Sequence, residues 1–159
     1  MGDVNPQPVG KVQSSATPCL CAALRQASRA VTRIYDAELR GTGLRTTQHF
    51  LLKLLGRSGE VCQGGLGEMA SLDETTLTRS LRLLQKNGWV TIRAGTDRRA
   101  KLVAITEAGK AKVEEARPAW SRAQKRLRRA LPKGTWDLLF ATLPDVTKAA
   151  SETTPGGTS

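Results

Sequence analysis

Aromatic residues are scarce in this 159-residue chain: three Trp, two Phe and one Tyr, 4% of the whole. That is too few for a surface on which successive bases stack, which argues against a single-strand coating or RNA-binding platform. Histidine is scarcer still, His49 standing alone. A single histidine allows one triad arrangement at most and, without a second ligand pair, no zinc spacing. Cysteine numbers three, Cys19, Cys21 and Cys62. An odd set with two members so close together is no disulfide framework. No apolar run reaches the roughly 18 residues that span a bilayer, so no membrane partner is expected. The N-terminus lacks a signal peptide's basic start and apolar core, and a cytoplasmic chain with reduced thiols is expected. A phosphate-cradling loop is missing as well: GGLGEM, Gly64 to Met69, has neither the Lys nor the spacing of a P-loop. With no Gly-x-Ser-x-Gly elbow either, the chain does not read as an enzyme, and no cofactor or metal is expected.

What is abundant is positive charge. Lys and Arg number 25 against 14 Asp and Glu, a net charge of +11, in a chain of ordinary globular composition with 39% hydrophobic residues. Such an excess points to a polyanionic partner, most often nucleic acid. The length suits about one domain.

Residues 1–17, rich in Pro, Gly and Ser, read as a flexible arm, and residues 151–159 as a flexible tail. Between them, residues 18–150 read as a single domain. Leu20, Ala23, Leu24, Ala27, Val31, Ile34 and Tyr35 recur at helical spacing from Cys19 to about Arg40, with Arg25, Arg29 and Arg33 on another face. Gly41 and Gly43 end this helix. A second helix is predicted from Thr46 to Gly59, with Phe50, Leu51, Leu54 and Leu55 inward, and a short one around Leu66 to Ser71.

A third motif helix follows in LDETTLTRSLRLLQKNGWV. Asp73 is its N-cap, Leu77, Leu81 and Leu84 share one face, and Thr75, Arg79, Arg82 and Lys86 gather opposite. Leu83 fits neither stripe. Asn87-Gly88 ends the helix. Two β-branched runs, Trp89 to Arg93 and Lys101 to Ile105, predict a hairpin. Thr106 caps a long helix with Glu107 in its first turn and Pro118 inside it as a kink. Pro132 is expected to start a last helix carrying Trp136, Leu138, Leu139, Phe140, Leu143 and Val146.

The order helix, short helix, helix, hairpin is the layout of a winged helix-turn-helix, about residues 46–106. The fold class is mainly α with a small β-hairpin wing and a helical dimerisation region. In that layout the last motif helix enters the major groove and the wing tip the flanking minor groove. The candidate DNA-binding set is Thr75, Thr76, Thr78, Arg79, Arg82 and Lys86 on the helix, and Arg98 and Arg99 on the wing. A guanidinium suits the negative potential of a narrow groove. Asp97 would hold the turn or an arginine in place, since phosphate repels a carboxylate. Helices 19–40 and 107–150 carry more apolar surface than a motif of roughly 60 residues covers, which predicts a homodimer on a two-fold operator. The run Arg117 to Arg129 holds six basic residues and no acid, and reads as a solvated helix face.

DRRAKLVAITEAGK resembles the closing motif of the MarR family of bacterial regulators, an Asp-x-Arg wing tip followed by a strand ending in Leu-Thr and then a Gly. The matching residues are Asp97, Arg99, Ile105, Thr106 and Gly109, with Ile in the place of Leu. TTLTRSLRLLQKNGWV is similar to that family's recognition helix and first wing strand, and the similarity covers roughly residues 19–148. It implies a homodimeric transcription factor on a pseudo-palindromic double-stranded operator. Such factors are usually repressors, released by a small phenolic or aromatic effector between the dimer helices and the DNA-binding lobe.

CLCAALRQAS, Cys19 to Ser28, also resembles the start of the organic-peroxide-sensing branch, in which the aligned residue, Cys21, is the reactive thiol. A helix N-terminus and Arg25 suit that role. Arg25, however, occupies the place of a supporting tyrosine, while Tyr35 matches a second one. Cys19 points about 200° away from Cys21 on the helix and is a poor disulfide partner for it, and Cys62 is a candidate resolving thiol. Three readings stay open: small buried apolar cysteines with a ligand-released repressor, a thiol sensor of the same fold, and an architectural DNA-binding dimer without effector. His49 is read as a helix residue with a bonding partner, or as part of an effector cleft.

Overall fold

The computed structural model describes residues 19–96 and 100–153. Helix α1 (Leu20–Leu39) runs into a 3-10 turn, Arg40–Thr42, and Gly43, at φ +75°, reverses the chain into α2 (Thr46–Ser58). A two-residue strand β1 (Val61–Cys62) leads into α3 (Gln63–Ala70) and then α4 (Glu74–Lys86). Strands β2 (Val90–Ala94) and β3 (Lys101–Ile105) form the hairpin. Helices α5 (Glu107–Ala130) and α6 (Thr135–Thr153) complete the order.

The sheet is antiparallel in the order β1-β3-β2, with Val61 opposite Val103 and Val90 opposite Ile105. Strand β1, absent from the elements expected above, is too short to show alternation. It pins the hairpin to the helical lobe from the side opposite β2.

One apolar core joins the helices and the sheet. Leu39 and Leu44 meet Leu51, Leu52 and Leu55 of α2, Leu66 of α3, Leu77, Leu81 and Leu84 of α4, and Val90 and Val103 of the sheet. Ala116 and Ala119 close it from α5, small enough for close helix–helix approach. Three glycines in α3 cost helix propensity, about 1 kcal/mol each relative to Ala. Two anchors offset this: the Cys62 thiol accepts the Gly65 N–H at 3.3 Å, and Leu66 is buried in the core. Gly67 has a packing reason, since a Cβ there would stand 3.2 Å from a Leu77 methyl.

Several expectations change. Phe50 is exposed, whereas Leu52 is fully buried. The buried residues of α2 are Gln48, His49, Leu51, Leu52 and Leu55, and Phe50 lies about 100° or more around the helix from the three leucines. Helix α3 starts at Gln63 rather than Leu66 and takes in the Gly64-Gly65 pair. Pro132 does not begin α6: Gly134, at φ +84°, turns the chain first and the helix starts at Thr135. It continues to Thr153, three residues into the expected tail. Pro118 lies inside α5, as expected, and Pro144 lies inside α6.

Helices α1 and α6 keep apolar residues exposed in the single chain. Helix α1 buries only Tyr35 and Leu39 and leaves Leu20, Leu24 and Val31 exposed. Helix α6 buries none of its residues, with Leu138 61% and Phe140 64% exposed. No helix among the described residues is long and apolar enough to cross a membrane.

Candidate nucleic-acid interface

Helix α4 is set by its first residues. The Asp73 carboxylate accepts the Thr76 N–H at 2.8 Å and the Thr76 hydroxyl at 2.6 Å, and these bonds hold its carboxyl below the usual range. Leu77, Ser80, Leu81 and Leu84 then face inward, with the Ser80 hydroxyl spent on the Thr76 carbonyl at 2.8 Å. Thr75, Arg79, Arg82 and Lys86 are left on the exposed side. Thr75, Thr78, Arg79 and Arg82, with Glu74, border a shallow hollow of about 390 Å³. Lys86 sits in the last turn, where the helix dipole favours a cation.

Two members of the candidate set have further duties. The Thr76 hydroxyl donates to the cap, so its proton is unavailable to a base. Thr78 is half-buried and accepts from the Gln63 amide at 3.4 Å, tying the middle of α4 to the start of α3.

The hairpin closes with the Gly95 N–H on the Ala100 carbonyl at 2.7 Å. Asp97, Arg98 and Arg99 come between these residues in the chain and lie outside the described residues. At the base of the wing, Arg93 of β2 donates through Nε to Glu60 at 2.8 Å, with a second bond from Nη2 to the same carboxylate. The Glu60 carboxylate raises the Arg93 pKa. This bidentate pair links residues 33 positions apart, and nothing in the local sequence signals it. A cleft of about 720 Å³, with Cys62, Gln63, Glu68, Leu77, Ala100 and Lys101 in its wall, separates α3 and α4 from the foot of β3.

All three cysteines are free and exposed, which corrects the reading of them as buried apolar residues. The start of α1, with Cys19 as its N-cap residue and Cys21 in its first turn, is exposed among the described residues, and Cys62 is the exposed N-cap residue of α3. Cys21 lies in the first turn of α1, with the Arg25 guanidinium 3.6 Å from its sulfur. Arg25, Arg29 and Arg33 also line a hollow of about 650 Å³ along α1.

His49 is buried and stacks on Trp120 of α5 with ring centroids 6.2 Å apart. Burial first, and then the nearby Lys53 ammonium, lower its pKa to about 4. It is a core histidine. The basic run on α5 is partly paired: Glu38 of α1 meets Arg122 at 3.1 Å and Arg126 at 3.6 Å.

Comparison with known proteins agrees with this geometry. The sequence model described as "MarR family" matches residues 44–101. An uncharacterised HTH-type transcriptional regulator of Bacillus subtilis, YwoH, is 32% identical over 92 residues, 58% of this chain and 67% of that protein. The organic hydroperoxide resistance transcriptional regulator of the same organism is 32% identical over 98 residues, 61% of this chain and 67% of its own length. Among solved structures, the M. tuberculosis transcriptional regulator MosR in complex with DNA superposes with a TM-score of 0.76 at 29% identity, covering 87% of this chain and 100% of that one.

Proposed function

The chain belongs to the MarR family of DNA-binding transcriptional regulators, and on that premise we propose that it is a homodimeric repressor reading a pseudo-palindromic operator through α4 and the wing. Residues 19–40 and 107–150 form the dimerisation region and residues 46–106 the DNA-binding lobe. The observation that carries this reading is the exposed side of α4, where Thr75, Arg79, Arg82 and Lys86 stand clear of the core on the helix that leads into the hairpin. Arginine and lysine on a groove-facing helix supply both base-edge and phosphate contacts. A small aromatic or phenolic effector would release the operator by changing the spacing of the two lobes. The test is titration of the purified protein with the DNA upstream of its own gene and with a random duplex of equal length. Tight binding to the first alone supports the reading, and equal binding to both refutes it.

A second reading concerns the releasing signal. Cys21 is exposed with a guanidinium 3.6 Å from its sulfur, and a relative 32% identical is named for organic hydroperoxide resistance. In this reading the Cys21 thiolate attacks the terminal oxygen of an organic hydroperoxide. The O–O bond breaks, the sulfur is oxidised to the sulfenic acid, and the alkoxide takes a proton and leaves as the alcohol. One event per protomer is sensing rather than turnover. Loss of operator binding on peroxide treatment, restored by dithiothreitol and absent in Cys21→Ser, supports it. A Cys21→Ser protein that still lets go refutes it.

A further inference from the structure

The turn that joins α4 to the wing is held by the start of α5. After Lys86 the chain passes Asn87 and Gly88, at φ +71°, then Trp89, and enters β2. The Thr106 hydroxyl donates to the Gly88 carbonyl at 2.7 Å and accepts the Gly109 N–H at 3.0 Å. The Thr106 N–H donates to the Trp89 carbonyl at 3.1 Å. Gly109 is buried against the same turn: a Cβ there would stand 2.1 Å from the Trp89 carbonyl oxygen, closer than real side chains come. The Lys112 ammonium lies 5.2 Å from the centre of the Trp89 ring. One hydroxyl thus serves two elements, capping α5 on one side and gripping the α4–β2 turn on the other.

We propose that Thr106 is a positioning residue for operator recognition, its hydroxyl fixing the angle between α4 and the wing by locking the Gly88–Trp89 turn to the first turn of α5. The proposal rests on the reading of α4 as the DNA-reading helix. Base-edge hydrogen bonds tolerate only a few tenths of an ångström around 2.9 Å, so the side chains of α4 and the wing must be held at once in fixed relation. Helix α5 runs for 24 residues with Pro118 inside it, about 36 Å of continuous helical rod. Its far half packs on α1, where Glu38 meets Arg122 and Arg126. A tilt of about 5° along such a rod moves its other end roughly 3 Å, enough to break every base contact. The Thr106 hydroxyl joins that rod to the turn, so the turn follows α5.

Three substitutions separate this role from helix capping. Thr106→Ser keeps both bonds. Thr106→Asp keeps an oxygen for the Gly109 N–H and, ionised, offers no proton to the Gly88 carbonyl. Thr106→Val removes both bonds. Binding to the operator and to a random duplex is measured for each full-length protein, with thermal unfolding alongside. The expected result is that Thr106→Ser binds within twofold of wild type. Thr106→Asp is expected to keep the melting temperature while losing about tenfold in operator binding, with random-duplex binding nearly unchanged. Thr106→Val should lose operator binding likewise and also melt earlier. Operator binding by Thr106→Asp equal to wild type overturns the proposal, as does an equal loss on both duplexes, which reports only the added charge. Unfolding of Thr106→Asp overturns it too, because the Gly88 bond would then serve the fold. Wild type without operator preference overturns the reading of α4 itself.

Discussion

The His49 ring lies against Trp120, with centroids 6.2 Å apart and planes inclined by 30°, in the seam where α2 meets α5. Burial and the Lys53 ammonium lower the His49 pKa from 6.5 to about 4. The fold therefore refuses a proton that the unfolded chain accepts. Stability is complete above the unfolded value near 6.5, falls as pH drops through the window to about 4, and levels off below it, a loss on the order of 3 kcal/mol. Urea unfolding at pH 7, 5.5 and 4.5 should show this decline in wild type and a shallower one in His49→Gln. Equal declines would assign the acid sensitivity to other groups.

Arg99→Ala is expected to weaken operator binding by roughly 1–3 kcal/mol, with Arg98→Ala similar or smaller. Both arginines fall in the connection between β2 and β3, whose strands end at Ala94 and Lys101. A gel-shift or anisotropy titration decides the matter, and unchanged affinity in both variants removes the wing from the interface.

Arg79 and Lys86 stand on the same exposed side of α4 and should fail differently. Arg79, in mid-helix beside Thr75 and Arg82, suits a base edge, and its loss should flatten the preference at one position of each half-site. Lys86, in the last turn, suits a phosphate; its loss should lower affinity evenly across sequences and reduce the salt slope by about one. If Arg79→Ala leaves a panel of operator variants ranked as before, a different face of α4 reads the DNA.

Periodicity made α4 legible because its signals are local. Asp73 caps within three residues, and Leu77, Leu81 and Leu84 repeat at helical spacing, so the exposed arginines followed by subtraction. The hairpin strands were legible for the same reason. Contacts between distant positions left no such trace. The Glu60–Arg93 pair bridges 33 positions, strand β1 exists only because Val103 is there to pair with Val61, and Phe50 lost its inward place to Leu52 through the direction from which the core approaches α2. Free cysteines are usually buried, yet all three are exposed here, because burial depends on which distant segments pack over a helix end and not on the residue type. The cap at Thr106 was readable, but its second bond to Gly88, 18 positions away, was not.

Helix α6 offers the sharpest test of the dimer. Large apolar side chains such as Leu138 and Phe140 stand in the open, and α6 buries none of its residues within its own chain. Replacing Leu138 by Glu therefore removes almost no packing from the protomer, whereas a charge inside an apolar interface is strongly unfavourable unless paired. Sedimentation of Leu138→Glu is expected to give the mass of a single chain, with the helical circular dichroism of wild type retained. Operator binding should fall by more than tenfold, because two linked half-site contacts become two separate ones and the gain in effective concentration is lost. Loss of helicity would mean that α6 supports its own chain after all. A variant that stays dimeric at full affinity would move the interface to another surface, with the exposed side of α1 the next to test.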